Sequence, residues 1–422
     1  MIKKYITSNK KMSIKQSSYF WNTCSGTLSA FQSVFFLMII TRVLNIVEAG
    51  IFTIAYTNAN LFANIGRYGV RNYQATDVSH NFSFGDYLIS RYISTGVMVV
   101  ISCGYLFFVS QTRSYPLNKT VIILAMCISK VLDSVEDVYY GHYQSQNRLD
   151  IAAKILTARL LMLYVSFIAI LIIFKNLVLA IVMSTLISAV IVIYGICITK
   201  KEGFLYRSKY SIENIKHIFI SCFPLFVGTF LSFYITNAPK YAIDAQLDET
   251  VQACYGFISM PIFVISLMNN FVFQPMITNL AISWEKKEYS KFIKSILIEC
   301  LILFCITLIA VLGGYLIGIP VLSILYKTNL SSYKGDLLIL LCGGGMLALS
   351  GFLIVVLTIV RMQKDSVWGY IITAILAYIL SPILVSGYGI RGASLLYLIL
   401  MSLSAMIFGG MIIYKVLKMK NE

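Results

Sequence analysis

Four charged residues stand where a helix crossing a membrane should carry none. Lys130, Asp133, Glu136 and Asp137 fall inside a hydrophobic stretch at 118–141. Lys130, Asp133 and Asp137 are spaced i, i+3 and i+7, so they share one helical face, with Glu136 beside them. Counting from Asn118 at about 1.5 Å per residue, Lys130 lies roughly 18 Å deep and Asp133 roughly 22 Å. Glu136 and Asp137 then approach the far boundary. A charge near the midplane costs at least about 2.5 kcal/mol on insertion scales and must be paired or solvated. Two readings stand. One is a structural Lys130–Asp133 pair; the other is a substrate or coupling-ion site, with Asp133, Glu136 and Asp137 as the ion-coupling carboxylates.

A second pattern precedes it. Thr53, Thr57, Asn60, Asn64, Arg67 and Arg71 are spaced 4, 3, 4, 3 and 4, which predicts one continuous polar face. Similar stripes run through Asn22, Ser25, Ser29 and Gln32, and through Thr229, Ser232, Thr236 and Lys240. Serine and threonine commonly act as polar glue between packed helices. Two asparagine amides and two arginines are costly against lipid, so Asn60, Asn64, Arg67 and Arg71 read as a cavity wall, with Asn22 and Gln32 as further polar lining. The cations outline a path: Arg67 and Arg71 at one end, Lys130 near the middle, Arg42 and Lys240 at the other mouth. Such a path suits an anionic group, a phosphate for example, moving in steps. For the end pairs, interfacial anchoring is the competing explanation.

The elements that must hold these residues are set by the rhythm of charge. Runs free of Asp, Glu, Lys and Arg recur at 16–41, 49–66, 92–112, 160–174, 176–199, 217–239, 250–284, 300–326, 337–360, 366–390 and 392–414. With the interrupted stretch at 118–141 they make twelve spans, each near the roughly 20 apolar residues that cross a bilayer core of about 30 Å. The predicted fold is an all-α polytopic membrane protein. The 58% hydrophobic and 12% charged composition leaves little for a soluble domain.

Of 34 Lys and Arg residues, 25 fall before span 1, in the even-to-odd loops or after span 12, and eight fall on the other side. This positive-inside bias places both termini in the cytoplasm and turns the net charge of +16 into a topology signal, with no nucleic-acid partner. The opening residues lack a cleavable apolar segment and read as a cytoplasmic tail. The nine cysteines and three histidines show no ligand spacing, so no disulfide framework, metal or cofactor is expected. The basic loop Lys200 to Lys216 splits the chain into two six-helix halves, 1–208 with the tail and 209–422. A short echo between Val47–Ile54 and Val251–Ile258, at the start of each half's second helix, fits a pseudo-two-fold transporter plan.

Several segments resemble a known family. They are Thr41-Arg42-Val43-Leu44 with Glu48-Ala49-Gly50-Ile51-Phe52, Tyr68 through Gln74, Gly141 through Gln144 with Arg148-Leu149-Asp150, Asn237 through Asp244, Met260-Pro261, and Phe271 through Pro275. In that order they resemble the polysaccharide flippases of the multidrug/oligosaccharidyl-lipid/polysaccharide exporter superfamily, closest to Wzx-like O-antigen and capsule repeat-unit flippases. Asn45 departs from the glycine often found there. The resemblance implies two six-helix bundles around a central cavity that opens alternately to each side of a bacterial plasma membrane. It implies an undecaprenyl-diphosphate-linked oligosaccharide as cargo, other polysaccharide-assembly proteins as partners, and a cationic cavity matching Arg42, Arg71 and Lys240. It implies no enzyme activity. Two rivals remain: a cation-coupled multidrug antiporter of the same superfamily, and a membrane polysaccharide polymerase or glycosyltransferase. The antiporter would use Asp133, Glu136 and Asp137; the enzyme would want a larger outer loop than any here.

The charge bias makes a direct prediction. Reporter fusions after Lys209 and after Lys291 should report cytoplasm, and fusions near Asp248 and Ser332 the outside. An external signal after Lys209 contradicts the six-plus-six arrangement.

Overall fold

A computed structural model describes residues 13–77, 81–113, 115–205, 208–273 and 276–421. The first part of the expected tail (1–12), His80 and Gln274-Pro275 lie outside the described residues. Among those described, every regular element is a helix.

Seven helices come first: α1 (Ile14–Val43), α2 (Ile46–Arg67), the short α3 (Val70–Thr76), α4 (Phe84–Arg113), α5 (Leu117–Ser145), α6 (Leu149–Phe174) and α7 (Leu177–Lys201). All but α3 have 22 to 30 residues, enough to cross a bilayer. Caps written in the sequence place their ends. Ser13 and Gln16 form a reciprocal capping box on α1. Asn45 accepts from the Glu48 amide at 2.9 Å and starts α2, which explains why an asparagine serves at that turn. Asn176 does the same for α7 through the Leu179 amide at 2.9 Å.

The polar stripe on α2 is interrupted. Tyr68 (φ 48°) and Gly69 (φ 71°) both adopt left-handed backbone and end the helix after Arg67. Arg71 therefore belongs to α3, not to the continuous face that the 4-3-4-3-4 spacing predicts. Gly69 can hold that conformation because it has no Cβ.

The second set is α8 (Ile212–Gln246), α9 (Glu249–Ser259), α10 (Ile262–Phe273), α11 (Met276–Glu285), α12 (Tyr289–Gly313), a π-helical turn (Gly314–Gly318), α13 (Ile319–Tyr326), α14 (Lys334–Ile359) and α15 (Gln363–Asn421). The charge-free run 250–284, expected as one span, is broken at Met260-Pro261, because proline removes an amide donor and clashes with the preceding turn; α10 and α11 lie on either side of Gln274-Pro275, which are outside the described residues. In α15 the backbone leaves the helix at Gly389 (φ 56°, ψ −132°), where the two final spans meet.

Among the described residues, eight helical stretches are long and apolar enough to cross a membrane by length and composition alone. Helices α2 and α5 miss that measure because they carry the charged and polar stripes. Counting them, the broken rod 249–285, and α15 as two spans gives the twelve crossings of a polytopic all-α membrane protein.

Contacts divide the chain into two compact units, Met1–Phe230 and Leu231–Glu422, at a point inside α8. The first half of α8 belongs with the first unit for clear reasons. Tyr68 stacks on Phe226 with centroids 4.5 Å apart, and the Asp86 carboxylate accepts from the Ser211 amide at 2.7 Å and the Asn214 side chain at 3.0 Å. In each unit the echoed segments open the second crossing, and their Ala49–Ile54 and Ala253–Ile258 portions are buried throughout.

Candidate functional site

The charges on α5 collect partners from four neighbouring helices of the first unit. Lys130 Nζ reaches Asp133 at 2.7 Å, and Arg67 at the end of α2 approaches the same carboxylate at 4.0 Å. Arg159 on α6 pairs with both Asp133 and Glu136. Tyr140 donates its hydroxyl to Glu136 at 3.2 Å. One turn further, Asp137 takes Arg71 of α3 at 3.3 Å and Arg91 of α4 at 2.8 Å. Lys130 also lies 5.1 Å from the centroid of the Tyr56 ring. Five cations thus surround three carboxylates, a net excess of two positive charges.

Burial grades the cluster. The Arg91 side chain is fully enclosed, Lys130 is 6% exposed, and Arg67 and Arg71 are 45% and 32% exposed. Arg91 is held by a further interaction: its Nη1 donates to the Gly66 carbonyl at 2.8 Å, which Ser94 also meets at 2.7 Å. That carbonyl lies in the last turn of α2, where carbonyls lack intrahelical donors and carry partial negative charge. Arg91 therefore ties α2 to α5 through one backbone oxygen and one carboxylate.

Lys130, Asp133 and Arg159 line a small pocket of about 30 Å³, shared with Gln32 of α1 and with Ser184, Thr185 and Ser188 of α7. Its apolar wall includes Phe36 and Phe167, stacked at 4.1 Å. Gln32 is thus brought to Lys130; Asn22, nearly three turns earlier on α1, is exposed. Asn60 and Asn64 are half-buried, and their amides donate back to the carbonyls of Tyr56 (2.8 Å) and Asn60 (2.9 Å). Thr53 and Thr57 are buried and bond to carbonyls one turn back, the pattern of packed helices. Arg42 is exposed in the last turn of α1, away from the α5 charges, and Lys240 is half-buried on α8 in the second unit.

Arg91 and Arg159 were not singled out by sequence. Each directly precedes a charge-free run, at 92 and at 160, and so counts there as a loop cation. The structure puts both inside helices, together with Lys154. The available signal was stoichiometric: three carboxylates with only Lys130 beside them on α5 require further cations from neighbouring helices.

A family of polysaccharide biosynthesis proteins matches residues 17–281, well over half of the chain. In a search of curated proteins no sequence matches. Solved structures share the fold. An inward-closed lipid II flippase MurJ superposes with a TM-score of 0.70 at 11% identity, covering 96% of this chain and 89% of its own. An inward-facing multidrug-resistance MATE transporter of the MOP superfamily gives 0.65 at 13% identity over 100% and 98%. A MOP superfamily transporter from Pyrococcus furiosus gives 0.58 at 13% identity over 97% and 96%. The class is a multi-pass membrane protein with a MOP transporter fold. Within it, this chain belongs to the polysaccharide biosynthesis protein family.

The Arg91–Asp137 pair yields a prediction. Arg91→Met leaves Asp137 with only the half-exposed Arg71, and removing one partner of a buried pair typically costs about 3–5 kcal/mol. The melting temperature of the purified protein should fall, and Arg91→Met with Asp137→Leu should recover most of the loss. Equal melting of wild type and Arg91→Met contradicts the anchoring role.

Proposed function

We propose that this protein is a flippase that moves an undecaprenyl-diphosphate-linked oligosaccharide repeat unit across the bacterial plasma membrane, supplying O-antigen, capsule or exopolysaccharide assembly. The observation that carries the reading is the excess of cations around α5. Three carboxylates leave two positive charges uncompensated, and the cluster grades from the half-exposed Arg67 and Arg71 to the buried Lys130. A diphosphate is the complementary group, and an arginine fork binds its oxygens in a bidentate manner. Hydroxyl and amide groups such as Gln32, Ser184 and Ser188 suit sugars or waters around it.

Family membership and the likeness to a lipid II flippase support a lipid-linked cargo. In this reading the halves 1–208 and 209–422 work by alternating access, with both termini cytoplasmic and Arg42 and Lys240 near the outer mouth. The polyprenyl tail stays in lipid, other polysaccharide-assembly proteins receive the product, and no covalent step is required. The antiporter reading loses support because Asp133, Glu136 and Asp137 are each engaged by cations.

A deletion strain tests this. It should accumulate lipid-linked repeat units on the cytoplasmic side of the membrane, with relief by the wild-type gene. Lys130→Ala should fail to relieve the block at normal membrane abundance. No accumulation in the deletion strain overturns the cargo. Restoration by Lys130→Ala with Asp133→Ala would reduce Lys130 to a structural counter-ion.

A further inference from the structure

One buried carboxylate in the second unit has no hydrogen-bond or ion-pair partner among the described residues. Glu299 on α12 is completely buried, and neither carboxylate oxygen accepts a hydrogen bond. It shares its helical face with Phe292, Leu303 and Ile306, all buried, while Lys291 and Lys294 are exposed on other faces of the same helix. Trp284 and Tyr289 pack together at one end of this region, 5.5 Å between centroids, as aromatic side chains do at a membrane interface. Glu299 is ten residues beyond Tyr289, about 15 Å further along the helix axis.

Among the described residues of the helices packed against it, none places a compensating charge at its level. Helices α10, α11 and α14 and the π-helical turn pack against α12. Helix α10 contains no ionisable residue. Helix α11 has Glu285 at its end, and the π-helical turn has Tyr315. Helix α14 has Lys334 and Asp336 in its first turn and Cys342 further on. A Cβ on Gly345 would meet Thr307 Oγ1 at 2.3 Å, which sets the register between α14 and α12. Carried along the antiparallel pair, that register sets Glu299 level with about Leu353, some 28 Å along α14 from Lys334. On α12 itself the other ionisable groups are Tyr289, Lys291, Lys294, Cys300 and Cys305.

Among the described residues a bare carboxylate in such a place meets neither a cation nor a hydrogen-bond donor, and carries a cost of several kcal/mol that a bound proton removes. The surrounding backbone is interrupted: the chain breaks at Met260-Pro261 between α9 and α10, and α12 runs into a π-helical turn bounded by Gly313 and Gly318, the kind of irregularity found at functional positions.

We propose that Glu299 is a proton-carrying site, taking up one proton when α12 is packed as observed and releasing it when helix movement admits water. Proton transfer is to and from a carboxylate oxygen, with water as the other partner. This inference rests on the transporter reading, to which it adds the coupling ion. It also moves the coupling role away from Asp133, Glu136 and Asp137.

The test has two arms. Dicyclohexylcarbodiimide, which modifies neutral carboxylic acids in apolar surroundings, should label Glu299 in the purified full-length protein, as read by peptide mass spectrometry. Labelling should fall about tenfold per pH unit once the site titrates. Glu299→Gln should remove the adduct and Glu299→Asp should keep it. In proteoliposomes loaded with lipid-linked repeat units, an imposed pH gradient should raise wild-type flux and leave Glu299→Gln flux unchanged. Absence of the adduct, or an adduct independent of pH, overturns the proton site. A Glu299→Gln protein that responds to the gradient like wild type overturns the coupling role. If Glu299→Gln does not fold, wild type and Glu299→Asp still decide the labelling arm, and an unaltered gradient response in Glu299→Asp sinks the coupling. If the wild type itself moves no lipid-linked unit, the transport reading fails, and labelling alone decides whether Glu299 takes the proton.

Discussion

Hydrocarbon offers no partner to a charge, and α5 carries four charges through it. Four neighbours of that helix in the first unit are arranged around this fact. Helix α2 ends at Tyr68-Gly69 so that Arg67 and, through α3, Arg71 arrive at α5 from one side. Helix α4 brings Arg91, and α6 brings Arg159. The close approach of the helices depends on a small residue at the crossing: a Cβ on Gly66 would sit 2.6 Å from Ser134 Oγ on α5. The carboxylates set helix packing, and the surplus of cations is left available for chemistry. Since removing one member strands another, the cluster behaves as a unit.

Much of this was legible in the residues. Charge-free runs located the crossings, since an apolar run of about 20 residues has one economical fate in a bilayer. The i, i+3, i+7 spacing on α5 disclosed a buried face, and Lys130 does meet Asp133 at 2.7 Å. The rest required coordinates because the sequence rule treats a charge as the edge of a span. Arg91 and Arg159 were pushed into loops by that rule, and Glu299 by the same reasoning, as it directly precedes the run at 300–326. Helical phase failed at Gly69 for a different reason: a left-handed residue resets the phase, so regular spacing across a glycine does not guarantee one face.

The two units differ in electrostatic character. The first contains the dense network on α5; among the described residues of the second, the buried Glu299 has no ion pair. In the proposed function the first unit holds the anionic headgroup, while the second, with its broken helices and π-helical turn, supplies movement and the proton. Binding energy spent on the diphosphate favours one state, and the change in proton occupancy of Glu299 offers a way to favour the other.

The central claim is that the cation excess around α5 binds the anionic headgroup, and lipid retention measures it most directly. Native mass spectrometry of the purified protein with undecaprenyl diphosphate or undecaprenol compares two ligands with the same tail. The account predicts that the diphosphate is retained and the alcohol is not, with retention lost when Arg67 and Arg71 are both changed to Ala. Equal retention of the two lipids, or retention of the diphosphate unaffected by removing both arginines, contradicts it.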